Sequence, residues 1–236
     1  MRNWMKKTFR SLLLLALSLM LYALAACGDD DDDYYYPSVK LEFLTAYSGS
    51  DGRLNTVLTD EGTHYAVVQD DSDSRITADS LVRIVSNYET LRAEDGTTGV
   101  RLYALSGAIA PLPRKAETFK EGVKSEPAEV LSIWMGRDYL NMVLTVKQQG
   151  KHAIAFVEES ISTDSDLRTN VHLSLYHDVT STTQDYTKRA YLSIPLQQYA
   201  DNGTTPLRIH FTLNTQSGEQ KTYSFDYSPS NPYTEQ

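Results

Sequence analysis

Five histidines, 31 carboxylates and a single thiol are the side chains of this sequence best suited to making or breaking bonds. A serine hydrolase holds its nucleophile on a strand–helix elbow of the G-x-S-x-G type. The nearest stretch, YSGSDG at 47–52, reads as a turn, because its glycines and Asp51 favour bends over a strained elbow. The histidines are His64, His152, His172, His177 and His210, and none forms an H-E-x-x-H or comparable pair. His172 and His177, five apart on a strand, are expected on opposite faces, and His210, alternating with apolar neighbours, is expected to point outward. DDSDS at 70–74 offers oxygen ligands of the kind calcium prefers, but lacks the sixth-position glycine and closing glutamate of an EF-hand loop, so it reads as a solvated loop. Glycoside hydrolysis needs two carboxylates about 5–10 Å apart across a cleft, and spacing alone selects no such pair. The sequence therefore assigns no catalytic residue, no cofactor and no metal.

The thiol has a different role. Residues 1–10 carry Arg2, Lys6, Lys7 and Arg10 without an acid, and an apolar run from Leu12 to Ala26 follows. A basic head, a short apolar stretch and small residues at its end are the parts of a secretory signal. A membrane span needs about 20 apolar residues, and this run is shorter; an uncleaved short anchor is the alternative. The run ends in LAAC, Leu24–Cys27, which resembles the lipobox of bacterial lipoproteins. That resemblance implies cleavage before Cys27 and lipid on its sulfur, which tethers the chain to a membrane. Each buried methylene contributes about 0.8 kcal/mol, so several acyl chains hold where one is marginal. With one cysteine in the chain there is no internal disulfide.

Asp29–Asp33 follow at once, and Tyr34–Tyr36 close the segment. Five like charges repel and stay solvated. The plain reading is an acidic tether over 27–36, reaching about 35 Å when extended. The sharper one is that Asp29, Asp30, Asp31, Asp32 and Asp33 resemble the surface-export signal of Bacteroidetes lipoproteins. That would place the protein on the outer face of the outer membrane; facing the periplasm is the alternative. The first 26 residues hold four of the 22 basic and none of the 31 acidic residues, so their loss takes the net charge from −9 to −13. A body this acidic disfavours nucleic acid and suits cationic partners.

The elements that would position any site are strands. Sixteen tyrosines against six phenylalanines suit half-wet sheets. SVKLEFLTAY alternates, with Val39, Leu41 and Phe43 expected on the buried face. LNTVLTD and THYAVVQ read as a hairpin, and SLVRIVSNYETL (80–91) and GVRLYALSGAIA (99–110) as two longer strands. Five curved strands in about 75 residues suit a small barrel. The proline-rich, charged stretch 110–129 breaks the pattern and reads as a crossing, with a short helix at RKAETF. Six strands follow: DYLNMVLTVKQ, HAIAFVEE, NVHLSLYHDV, RAYLSIPLQQY, LRIHFTLNT and QKTYSFDYSP. The last two place Leu207, Ile209, Phe211 and Leu213, then Tyr223, Phe225 and Tyr227, inward; IPLQQYADN can form a helical turn. This count and spacing predict a sandwich.

Lipobox, acidic tether, barrel and sandwich, with VRIVSNYETL, IWMGRDYLNMVL and GEQKTYSFDY in that order, resemble the NigD-like lipoproteins of Bacteroidetes. The most specific piece is Trp134-Met135-Gly136-Arg137-Asp138-Tyr139-Leu140-Asn141. The resemblance implies an all-β chain with a small OB-like five-stranded barrel followed by a β-sandwich. The expected division is a signal peptide at 1–26, the tether at 27–36, the barrel at 37–112, a linker at 113–129 and the sandwich at 130–236. It also implies a link to bacteriocin immunity. An OB-type barrel without a basic stripe suits an oligosaccharide or protein better than nucleic acid. Trp134 and Tyr139 are the candidate ligand contacts, with a structural reading in which Trp134 plugs the sandwich core. The expectation is a lipid-anchored, non-catalytic envelope protein, membrane-bound through Cys27, whose partner is an extracellular or envelope protein, peptide or glycan. A bacteriocin immunity factor and an accessory subunit of a surface glycan-uptake or adhesin assembly are the two specific forms of it.

Overall fold

The structure, a computed structural model, describes residues 37–92, 96–146, 150–165, 167–180, 187–200 and 207–229. Five strands come first: β1 (Lys40–Ser48), β2 (Leu54–Thr59), β3 (His64–Asp70), β4 (Leu81–Arg92) and β5 (Thr98–Gly107). They close into a barrel in the order β1-β2-β3-β5-β4, with β3 and β5 parallel and β4 antiparallel to β1. Closure leaves the barrel no unpaired edge. Leu44, Ala46, Leu54, Val57, Ile84, Tyr88, Val100 and Leu102 fill its interior.

β1 faces the other way from the sequence expectation. Val39 and Leu41 are 45% and 55% exposed, while Leu44 and Ala46 point into the barrel. Phe43 is buried, but outside the barrel, edge-on to Trp134 and Tyr191 of the second set of strands. Period two fixes only that alternate residues share a face; which face is inner depends on what covers the outside. β4 shows the same double burial. Ile84 and Tyr88 point in, and Arg83 and Val85 are buried on the outer side.

The second set has eight strands where the sequence suggested six. They are β6 (Arg114–Lys115), β7 (Glu129–Met135), β8 (Tyr139–Val146), β9 (His152–Thr163), β10 (Thr169–Val179), β11 (Lys188–Pro195), β12 (Leu207–Asn214) and β13 (Gln220–Tyr227). One sheet runs β13-β12-β10-β9-β6 and the other β11-β8-β7. The additional strands lie at sheet edges: β6 is two residues long, and β7 carries exposed Leu131 and Trp134, which masks its alternation. The inner face is continuous from Leu140, Met142 and Leu144 on β8 to Phe211 and Ile209 on β12, with Tyr223, Phe225 and Tyr227 closing the β13 side. Gln197–Tyr199 forms the short helical turn anticipated within IPLQQYADN, and Ala116–Thr118 forms one within RKAETF.

Residues 113–129, read from sequence as a linker, run along the sandwich. Arg114 and Lys115 pair in parallel with Val157 and Glu158 of β9, Ser125 bridges to His177, and Ala128 donates to the Asn214 carbonyl. Prolines bar these residues from a long strand but leave isolated donors and acceptors, which the sheet edge satisfies. Ser38–Gln236 forms one compact unit. Among the described residues, no helix is long and apolar enough to cross a membrane.

Candidate functional site: the junction of barrel and sandwich

The outward face of the three-stranded sheet presents Trp134, Tyr139, Asn141, Tyr191 and Ser193, and it meets the β1–β4 face of the barrel. At the centre of this contact is Arg83, whose side chain is 3% exposed. Its Nη2 donates to both Asp60 oxygens, at 2.5 and 2.6 Å, and to Asn141 Oδ1 at 3.2 Å. Nε donates to Ser193 Oγ at 2.9 Å, and Nη1 donates to Thr45 Oγ1. The guanidinium stacks 4.1 Å from the Tyr139 ring centre. Asn141 Nδ2 donates to Asp60 and Ser193 Oγ donates to Asn141 Oδ1, so Asp60, Asn141 and Ser193 are each bonded to Arg83 and to at least one other of the three. A buried charge is tolerated only when paired and hydrogen-bonded in this way.

Five of the eight residues of the octapeptide, Trp134, Gly136, Arg137, Tyr139 and Asn141, meet the barrel, and the other three serve the sandwich. Trp134 lies against Phe43, and Met135 and Leu140 join the sandwich core. Gly136 leaves room for the barrel: a β-carbon there would sit 2.7 Å from Asp60 Cγ and 2.6 Å from Asn141 Nδ2. Arg137 reaches over the β2–β3 turn at Gly62 and pairs with Asp138. Asp138 accepts from Tyr227 on β13 and from Gln197, which pushes the Tyr227 phenol up, chiefly by burial and then by the neighbouring carboxylate. The chain leaving the barrel adds a backbone seam, with Ile109 N–H donating to the Tyr191 carbonyl and Ser193 N–H to the Ile109 carbonyl.

Two crevices flank the junction, one at each edge of the three-stranded sheet. At the β7 edge a crevice of about 300 Å³ is walled by Glu42, Phe43, Asp60, Glu61 and Trp134. Trp134 is 37% exposed, so it stands at the mouth of this crevice and does not plug the sandwich core. Tyr139 is committed to the Arg83 stack and is no open platform. Of the two expected ligand contacts, the structure leaves Trp134 available. At the β11 edge a larger crevice of about 640 Å³ opens beside Lys151, His152, Lys188, Arg189 and Tyr191. A third hollow, on the β2–β3 face of the barrel, has no aromatic wall, and two of the charges around it, Arg53 and Asp51, face each other.

The histidines do pair, against the sequence expectation. His152 Nδ1 lies 2.8 Å from His177 Nε2, with the rings stacked, and His177 Nδ1 bonds the Glu126 carbonyl. His177 points into the sandwich, fully buried; desolvation, more than any other influence, holds its basicity below the usual imidazole range. His172 and His210, aligned on adjacent parallel strands, stack with ring centres 4.5 Å apart on the outer face. Sequence spacing missed both pairs because each joins different strands. Among the described residues, no three His, Cys, Asp or Glu side chains cluster closely enough to hold a metal ion. Cys27 and Asp29–Asp33 lie outside the described residues.

Residues 110–227 match the model of the NigD-like C-terminal beta sandwich domain. Among solved structures, a NigD-like immunity protein from Bacteroides caccae is 36% identical and aligns with a TM-score of 0.70 over 84% of this chain and 100% of its own. A protein of unknown function from Bacteroides vulgatus is 22% identical, with a TM-score of 0.63 over 83% of this chain and 97% of its own. A candidate lipoprotein from Bacteroides fragilis shares the fold at 12% identity, with a TM-score of 0.59 over 82% and 100% of the two chains. No curated protein matches. With half the chain matched by the family model and 36% identity across most of the barrel and sandwich, this protein belongs to the NigD-like family.

Proposed function

We propose that this is a lipid-anchored envelope protein that acts by binding, and that the β7-edge crevice takes a cationic side chain of a peptide or protein partner. The observation that carries this reading is Trp134, a half-exposed indole beside the carboxylates of Glu42, Asp60 and Glu61. An aromatic face next to acids favours a cation twice, through the ring quadrupole and through charge. Glu61 is exposed, Glu42 accepts from the Tyr88 hydroxyl, and Asp60 is held in place by Arg83 and Asn141, so Glu61 is the most exposed of the three acids. The immunity relative supports the specific form of the proposal, in which the chain intercepts a cationic bacteriocin at the cell boundary. Lipid on Cys27 would hold it there, and Asp29–Asp33 would direct it to the outer surface.

The test uses two arms. The chain is expressed in a sensitive strain and challenged with a cationic peptide bacteriocin, as wild type and as Trp134→Ala with Glu61→Gln. Protection by the wild type and its loss in the variant is the expected result. In parallel, the fluorescence of the lipidated protein is followed on titration with the same peptide. Trp4 leaves with the signal segment, so Trp134 is the single reporter. No protection together with an unmoved emission spectrum refutes the proposal.

A further inference from the structure

We infer that the crevice at the β11 edge is a binding site for an acidic sugar, one carrying a carboxylate or a phosphate. This site is separate from the Trp134 crevice and does not rest on that reading. Its volume, about 640 Å³, is in the range of small-molecule pockets and far larger than a bare inorganic anion needs. The wall is formed where the barrel exit at Ser106, Gly107 and Ile109 passes the open mouth of the sandwich between β9 and β11. Three separate segments therefore shape it, and the backbone bonds between Ile109 and β11 fix two of them together.

The charge of the site runs against the charge of the molecule. The chain carries nine more acids than bases, yet Lys151, His152, Lys188 and Arg189 line this crevice, and among the described residues no Asp or Glu does. Among the described residues no carboxylate lies within ion-pair distance of Lys151, Lys188 or Arg189. Three exposed cations held at one rim of an otherwise acidic body focus a local positive field, which draws and orients an anionic group. Arg189 supplies a planar fork that matches carboxylate and phosphate oxygens, and the two lysines supply point charges. The floor is different in kind: Ile109, Val146, Ile154 and the Tyr191 ring are apolar. A ligand with an anionic group on one side and a C–H face on the other satisfies both halves, and a pyranose with an acidic substituent has that construction. Ser106 and the backbone at Gly107 and Gly150 stand at the wall as partners for its hydroxyls.

The test is calorimetric titration of the lipidated protein with four probes: digalacturonate, glucose 1-phosphate, neutral galactobiose and inorganic phosphate. The inference expects at least one of the two acidic sugars to bind at least about tenfold more tightly than galactobiose and than phosphate, since one charge-assisted hydrogen bond is worth that much. Which acidic sugar wins distinguishes a uronate source from a sugar-phosphate source. Lys188→Gln with Arg189→Gln should weaken that binding about tenfold or more, with the melting temperature unchanged because both side chains are exposed at the rim. Lys151→Gln is the second, independent variant and should weaken it in the same direction. Trp134→Ala should leave it intact, which separates this site from the peptide crevice. Equal binding of acidic and neutral sugars, phosphate binding as tightly as the sugars, or variants that bind like the parent would each overturn the inference.

Discussion

Removing the Arg83 guanidinium should loosen the barrel from the sandwich, and the structure gives the size of the effect. Arg83 makes hydrogen bonds to Asp60, Asn141, Ser193 and Thr45, with a side chain 3% exposed, and Asp60 is only 18% exposed. Arg83→Ala leaves the Asp60 carboxylate with Asn141 as its remaining side-chain donor in the cluster. Breaking a buried pair on one side costs about 3–5 kcal/mol, because the other charge stays behind without its counter-ion. For a chain of this size that is a fall of about 6–20 °C in melting temperature. Replacing both partners, as Arg83→Met with Asp60→Leu, removes the stranded charge and should recover about half or more of the loss. The assay is a guanidinium chloride titration of the protein, followed by Trp134 emission, which reports the junction, and by far-ultraviolet dichroism, which reports the strands. The parent should show coincident transitions. In Arg83→Ala the Trp134 signal should move first. A loss under about 1 kcal/mol, the range of an exposed ion pair, or a double variant no more stable than Arg83→Ala, would refute the view that this cluster holds the two lobes together.

Gly136→Ala should act on the same contact from the sandwich side. A β-carbon 2.7 Å from Asp60 Cγ forces the β2–β3 turn away, at a cost of about 1–3 kcal/mol, read as a lower denaturant midpoint. Stability should also fall on acidification below about pH 6.5, the ordinary imidazole value. His177 is held less basic in the folded chain than in the unfolded one, so between the two values only the unfolded state takes the proton; stability is complete above that window and declines as pH drops through it. Burial is the main cause. His152 acts in the same direction, while the Glu126 carbonyl, the Glu126 carboxylate and Asp178 oppose it. Denaturant midpoints at pH 8 and pH 5.5 measure the slope, and His177→Gln should flatten it. Protease treatment of intact cells should digest the parent chain and spare one with Asp29–Asp33 all changed to alanine; equal shielding of both would reject the surface placement.

The fold class was legible because strands announce themselves by period and by turns. The β12–β13 hairpin, with its clean alternation from Leu207 to Leu213, needed nothing but the sequence. What sequence misassigned shares one cause, which is that a second layer covers a surface a lone strand would leave wet. Phe43 and Leu44 are both buried, on opposite faces, so no parity of SVKLEFLTAY marks the interior of the barrel. Arg83 points outward from the barrel, yet it is among the most enclosed charges of the molecule. The histidine pairs were hidden for a related reason. His152 meets His177, and His172 meets His210, only after strand register is set.

The same cause explains why the octapeptide at 134–141, the most specific piece of the sequence resemblance, says little about a ligand. Gly136, Arg137, Asp138, Tyr139 and Asn141 are each bound by a neighbour whose own position they fix. Residues under such mutual constraint report how two lobes are joined, and any relative joined the same way must satisfy the same contacts. The exposed charges at the crevice rims are under no such constraint. Lys151, Lys188 and Arg189 face solvent without an ion-pair partner among the described residues, and Glu61 faces the opposite crevice on the tip of a turn. A frame this firmly joined can keep its geometry while the charges at its two openings change, and that is the arrangement a family needs when its members share a fold and differ in what they bind.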